Sequence, residues 1–240
     1  MKPKALNIEQ IWTTDVDRSI LRQLFHNNSI SKRDLTSVQI KKVLKNKQWE
    51  SKQGINLKIY EPKTSLEKIL YSRRSRRKIS EKKITFNEVS KLLQFSAGIT
   101  DKENGYFSYP SPGALYPCTL FLSLELPDFK NVLYRYNPYQ HKLEEYCYDS
   151  ERVIDNAIID DELRKFPIKI FFTSDFQLLE DKYGELSYRL LNQEIGHIAQ
   201  NLSLYAEELG INTTCIGGFY ECEFKKKIHG YDLLYVMVVG

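Results

Sequence analysis

Two periodicities divide the chain. Between residues 64 and 98 apolar positions return every three to four residues, as Leu66, Ile69 and Leu70 and then as Val89, Leu92 and Leu93, which predicts two amphipathic helices. Each run opens on a threonine with a glutamate three positions later, Thr64 with Glu67 and Thr85 with Glu88, and Gly98 stands where the second should stop. From Cys118 the period falls to two. Leu120, Leu122, Leu124 and Leu126 alternate along CTLFLSLEL, VLYRYNPYQHKLEEY has the form of a hairpin turning at Asn137 and Pro138, and IKIFFTS, TTCIGG and LYVMVV supply further strands.

Residues 187 to 209 return to a helical period and carry two adjacent stripes. One is large and apolar, with Ile195, Ile198, Leu202, Tyr205 and Leu209. The other is small, with Gly196, Ala199, Ser203, Ala206 and Gly210. Together they cover more than the face of a surface helix, so this helix is expected to be long, central and buried, and its small stripe to admit another backbone, at a subunit interface for example. Helices and strands are interspersed without regular βαβ alternation, which predicts an α+β fold. Residues 1–60 are polar and lysine-rich with short apolar groupings, such as Ile20, Leu21 and Leu24, and are expected to form an N-terminal helical extension packed on a main domain of residues 61–240.

Composition changes this picture little. With 240 residues, 42% hydrophobic and 12% aromatic, the chain can bury one sizeable core. A net charge of +4 is too small to call for nucleic acid. No window has the length of a membrane span or a secretion signal, and Cys118, Cys147, Cys215 and Cys222 form no CxxC pair, so no metal or disulfide framework is indicated and a reduced, cytoplasmic setting fits.

Four short segments could carry chemistry. LYSRRSRRKIS gathers Arg73, Arg74, Arg76, Arg77 and Lys78 around Ser75 just past a helix, a donor set suited to a phosphate, although an isolated basic run is more often a solvated face. YPSPGALYP holds Pro110, Ser111 and Gly113 in a rigid turn with thinly covered backbone, which suits a flat ligand or an ordinary loop equally. In CIGGFYE, Gly217 and Gly218 follow a strand and could offer N–H groups to a ligand, or simply turn the chain. Lys182 and Tyr183 are neighbours just before the long helix. A partly desolvated lysine can serve as a general base and a tyrosine can relay a proton, but exposed Lys-Tyr pairs are common. The histidines are scattered and no GxSxG elbow is present, so hydrolase and metal chemistry gain no support.

Taken in order, FHNNSISK, LEKILYSRRSRRKI, LLQFSAGIT, PSPGALYP, LYRYNPYQHKLE, the KYGELSYRLLNQEIGHIAQNLSLYAEELGI stretch, IGGF and LYVMVVG resemble the nitroreductase-like flavoproteins over roughly residues 20 to 240. The closer resemblance is to their SagB-type branch, the azoline dehydrogenases of thiazole/oxazole-modified peptide biosynthesis. The resemblance implies a central, mostly antiparallel sheet flanked by helices, a homodimer, and FMN. It places the flavin phosphate and ribityl chain on Arg73, Arg74, Ser75 and Arg77, and Pro110, Ser111 and Gly113 beside the isoalloxazine, often across a dimer interface. Gly217 and Gly218 would lie near the reactive ring nitrogen, and Lys182 and Tyr183 would be catalytic. The implied reaction oxidises a peptide azoline ring to an azole with dioxygen as final oxidant, on a ribosomally made precursor peptide and alongside a cyclodehydratase.

The sequence departs from the family pattern at Pro112, where alanine is usual, at Tyr109, where arginine is frequent, and at Gly240, where the chain stops directly after its last strand and lacks a phosphate contact expected beyond it. Two other readings accompany the first: a general NAD(P)H-dependent nitroreductase or other SagB-like oxidase, and a flavin-free scaffold subunit of a peptide-modifying complex.

Overall fold

The computed structural model describes residues 53–240, apart from 128, 130 and 150. The expected N-terminal helical extension falls, for residues 1–52, outside the described residues; 53–60 contain no helix and are exposed.

Helix α1 (Ser65–Ser72) and helix α2 (Phe86–Ala97) both start at a complete capping box, with Thr64 and Thr85 each exchanging hydrogen bonds with the glutamate three residues on. Gly98 does end α2, yet not through a left-handed turn, since its φ is −90°. Crowding explains the glycine instead: a Cβ there would lie 2.4 Å from the Gln94 carbonyl oxygen. A short ribbon of β1 (Ile99–Asp101) and β2 (Tyr106–Phe107) follows.

The main sheet is built from β3 (Thr119–Leu124), β4 (Val132–Asn137), β5 (Lys142–Tyr148), β6 (Ile168–Ser174), β7 (Thr213–Ile216) and β8 (Asp232–Val239). Its order is β5-β4-β3-β6-β8-β7 and every neighbouring pair is antiparallel. The helices between strands are α3 (Asp161–Arg164), α4 (Gln177–Tyr183), α5 (Leu186–Leu209) and α6 (Glu221–Phe224).

Sheet side chains alternate between two cores. On one face Leu120, Leu122, Ile170, Phe172 and Met237 join Leu92 and Leu93 of α2 and Ile195, Ile198 and Leu202 of α5. On the other, Phe121, Phe171, Val236 and Val238 meet Ile154, Ile158, Leu163 and Phe224. Because the sheet is covered on both sides, β3 is buried at Phe121 as well as at its leucines, and the single inward face expected from its alternation is two.

The long helix has the predicted extent, and in its large stripe Ile195, Ile198 and Leu202 are buried as expected, while Tyr205 and Leu209 are only partly buried against the core. The small stripe is divided. Ala199, Ser203 and Ala206 are buried, Gly196 is exposed with open space where a Cβ would stand, and Gly210 is a left-handed C-cap with φ +70° rather than a packing position.

Candidate functional site

The arginine turn begins where α1 stops, with Arg73 as its C-cap. The chain then runs extended along the sheet's end, tied by Arg76 N–H to the Thr213 carbonyl at 2.9 Å, by the Asn212 amide to the Lys78 carbonyl at 3.0 Å, and by Ser80 N–H to the Gly240 carbonyl at 3.0 Å. One cation is occupied structurally. Arg76 makes a two-pronged ion pair with Glu207 of α5, which holds the Glu207 carboxyl below the usual carboxylate range. Arg74 curls back onto the carbonyls of Tyr71 and Arg73. Arg73 is half-buried and its charge also reaches Glu207 and the Cys215 thiol on β7; Ser75 and Arg77 are exposed. The segment thus keeps forked donors facing outward, suited to a phosphate.

Gly217 and Gly218 follow the far end of β7, just beyond Cys215, the thiol that the charge of Arg73 reaches. Gly217 is exposed and a Cβ there would meet nothing within 4 Å, so its backbone is open to a ligand; at Gly218 a Cβ would make ordinary contact with Ile159 at 3.5 Å.

A second cluster lies further along α5. The loop from Pro110 to Tyr116 contains three residues at positive φ: Gly113 at +61°, Ala114 at +52° and Tyr116 at +51°. Two of the three are not glycine, a strained arrangement that surrounding contacts must hold. The long helix provides them at 194, 197 and 201, one or two turns apart on one face. Glu194 accepts from the Ser111 hydroxyl at 2.5 Å and from Cys118 N–H at 3.2 Å. His197 Nδ1 lies 3.3 Å from the Pro110 carbonyl, and the Asn201 amide donates to the Ser108 carbonyl at 3.0 Å. Within the loop, Tyr116 N–H donates to Ser111 Oγ at 2.9 Å, and the Tyr116 ring stacks on Phe107 with centroids 4.0 Å apart.

This loop meets the Lys-Tyr pair. A Cβ on Gly113 would fall 2.3 Å from Tyr183 Oη and 2.6 Å from Lys182 Nζ, so only glycine lets the turn seat on both polar ends. Lys182 and Tyr183 occupy the last turn of α4, which closes at Gly184 with φ +51°. Lys182 Nζ stands over the Tyr183 ring, 5.4 Å from its centroid. Tyr183 is half-buried but Lys182 is exposed, so one chain alone does not provide the partial desolvation expected for the lysine.

The predicted residues therefore form two groups. Arg73, Arg74, Ser75 and Arg77 lie along the edge strand β7, which Gly217 and Gly218 follow, whereas Gly113 of the Pro110–Gly113 turn meets Lys182 and Tyr183. The ten residues of α5 between His197 and Glu207 separate their anchors by about 15 Å. A cleft of about 590 Å³ elsewhere, lined by Ile79, Lys82, Ile84, Phe86 and Phe129 among others, touches neither group. Among the described residues no helix is long and apolar enough to cross a membrane and no side-chain cluster could hold a metal ion.

Glu194 was missed in the sequence, although a signal was present. It interrupts the apolar series Leu191, Ile195, Ile198 at a position three residues after a buried leucine and four before a buried isoleucine, where a carboxylate must be buried with them. It is completely buried, and burial moves its pKa up to about 7 against the opposing hydrogen bonds from Ser111 and Cys118. Burial, and next the Glu194 charge, also push the Cys118 thiol far up; burial, then Cys118 and Glu194, do the same to the Tyr109 phenol.

The family model described as "Nitroreductase family" matches residues 70–240. A nitroreductase-type protein of Methanocaldococcus jannaschii is 30% identical over 187 residues, covering 73% of this chain and 90% of that protein. Among solved structures, a chain of the E. coli microcin synthetase McbBCD complex, with truncated pro-MccB17 bound, superposes with a TM-score of 0.71 at 18% identity, covering 99% of this chain and 98% of that one. A nitroreductase-type structure from Ralstonia eutropha gives 0.65 at 19% identity, over 78% of this chain and 86% of its own. At these identities the two structures share the fold.

Proposed function

This chain belongs to the nitroreductase family, and we propose that within it the protein is an FMN-dependent azoline dehydrogenase, oxidising thiazoline or oxazoline rings of a ribosomally made precursor peptide to thiazoles or oxazoles. The observation that carries this reading is the seating of the Pro110–Ala114 turn on Lys182 Nζ and Tyr183 Oη, which puts a potential base and a phenol beside a ligand-facing loop. The full-length likeness to a chain of a synthetase that acts on a peptide supports it.

The residues present fit FMN. Arg77 and the Ser75 hydroxyl, both exposed, with half-buried Arg73 and the nitrogens of Arg74 that its backbone bonds leave over, would hold its phosphate, and the open backbone at Gly217 would let the flat ring approach. FMN, when bound, supplies the two-electron acceptor for the ring's hydride. Lys182 Nζ takes the acidic ring proton. Tyr183 Oη, beside the same glycine, orients the ring and shares that proton, and a second copy would have to supply the desolvation that the exposed Lys182 lacks in one chain.

A homodimer belongs to this reading. Helix α1 has two exposed leucines, Leu66 and Leu70, and no buried residue, and Ile55, Leu57 and Ile59 just before it are at least 88% exposed, apolar surface that a second copy would cover. The separation along α5 between the arginine turn and the Ser111 turn agrees, because one protomer's arginines and its partner's turn can then face a common ligand. A dimeric mass by light scattering is the expected result, and a monomer would remove this part of the reading. A cyclodehydratase is the expected partner enzyme.

Replacing Lys182 by alanine is expected to lower azole formation by at least about a hundredfold, with FMN still bound. Unchanged turnover would sink the assignment. The M. jannaschii relative favours a second reading, an NAD(P)H-dependent nitroreductase. Rapid bleaching of bound flavin by NAD(P)H, with no azole product, would select it.

A further inference from the structure

The long helix retains a carboxylate at a position where a leucine would pack better. Glu194 is completely buried, and no lysine, arginine or histidine within ion-pair distance compensates it among the described residues. A buried carboxylate with only hydrogen-bond partners opposes folding. Its burial also shows in its pKa of about 7. Such a group is retained where its interactions do something a leucine could not.

Its two bonds enclose the strained turn. Ser111 lies before Gly113 and Cys118 lies after it, and both are tied to the same carboxyl. The segment between them reaches Lys182 and Tyr183 at Gly113 with no room to spare. Any slackening at Ser111 or Cys118 therefore moves the turn relative to the two polar ends on which it sits.

We propose that Glu194 is the positioning residue of the Lys182–Tyr183 pair, acting through the Ser111 hydroxyl and the Cys118 amide to hold the Pro110–Ala114 turn against them. This deepens the dehydrogenase reading and rests on it for the role of Lys182. The ionised carboxyl accepts both bonds; once protonated it holds the turn with one acceptor fewer. The titratable groups facing it are the Cys118 thiol and the Tyr109 phenol from the loop side, both pushed toward their neutral forms. On its own helix, one turn on, stands His197, which is exposed. The turn should therefore slacken as the pH falls through neutrality.

The test uses the full chain and two readouts. Amide hydrogen exchange at Tyr116 and Cys118 is followed in the flavin-free protein, and kcat and KM on an azoline peptide are followed from about pH 6 to pH 9. Glu194→Ala is expected to speed exchange at both amides by about tenfold and to lower kcat by about tenfold to a hundredfold while KM changes little. Glu194→Gln, which keeps one acceptor oxygen as the protonated acid does, is expected to hold exchange and kcat near the values the unmodified protein shows at the acid end of the profile, and to remove the limb near neutrality. Should Glu194→Ala fail to fold, Ser111→Ala breaks the same bond from the loop side and is expected to release Tyr116. Unchanged protection at Tyr116 and Cys118 overturns the proposal, and so does lost protection with kcat and pH profile unaltered. If the unmodified protein makes no azole, the dehydrogenase reading fails, while exchange in the flavin-free chain still decides whether Glu194 holds the turn.

Discussion

The arginine turn and the Ser111 turn solve opposite problems. The first presents largely exposed cations on a backbone tied at three points, with Arg76 held by Glu207 and Arg74 folded onto neighbouring carbonyls. The second is wired from within: positive φ angles, an aromatic stack, a buried carboxylate and a glycine with no clearance. A phosphate is a strong, nearly symmetric acceptor, and flexible forks can close on it after it arrives. Proton transfer tolerates little displacement, so its geometry must exist beforehand.

Glu194→Gln tests the internally wired region most severely. The folded-state pKa of about 7 lies above the ordinary 4.5, so the native protein binds the extra proton between those values and ionisation weakens folding above them. The variant is expected to be more stable than the parent at pH 8, by up to about 3 kcal/mol less whatever its amide loses in hydrogen bonding, with the difference vanishing below about pH 4.5. Denaturant melts at the two pH values measure it. Equal stability at pH 8 would mean that the carboxylate is better compensated than its surroundings indicate.

Gly113→Ala comes next. Its Cβ has to displace Tyr183 Oη or Lys182 Nζ, and its φ of +61° disfavours any side chain, so a loss of about 2 kcal/mol is expected together with most of the azole-forming activity. A variant of normal stability and rate would separate the turn from the Lys-Tyr pair. The smallest effects should come from the arginines, and should divide. Arg73→Ala is expected to weaken FMN binding about tenfold with the melting temperature unchanged, whereas Arg76→Ala is expected to remove only about 0.5–1 kcal/mol of stability, because its ion pair is partly exposed. Fluorescence titration with thermal melting reads both.

Much of this contrast is legible in the sequence, for reasons that differ by element. Capping boxes are local, so Thr64 with Glu67 and Thr85 with Glu88 place two helix starts with no knowledge of the rest. The β4–β5 hairpin and the 24-residue helix have equally local patterns. What no local pattern gives is which of five cations is paired: Arg76 bonds Glu207, 131 positions away, Arg73 reaches the same carboxylate only through its charge, and Arg77 is exposed. The meeting of Gly113 with Lys182 and Tyr183 is likewise long-range: residue types single out the turn and the pair separately, and only the family resemblance gives both a role. Glu194 lay hidden for the reverse reason. Its signal is a break in an apolar series, one charged residue buried among Leu191, Ile195 and Ile198.

The cysteines near these two regions acquire a meaning of their own if dioxygen is the terminal electron acceptor, since a flavin oxidase then releases hydrogen peroxide inside its own walls. Peroxide attacks thiolates far faster than thiols. Cys118, tied through its amide to Glu194, and Cys215, beside Arg73, both have thiol pKa values raised above the ordinary 9, chiefly by burial. Burial, with the Glu194 charge as a lesser help, keeps the Cys118 sulfur a protonated, slowly reacting thiol, so peroxide released there would find its first target at the exposed Cys222 instead.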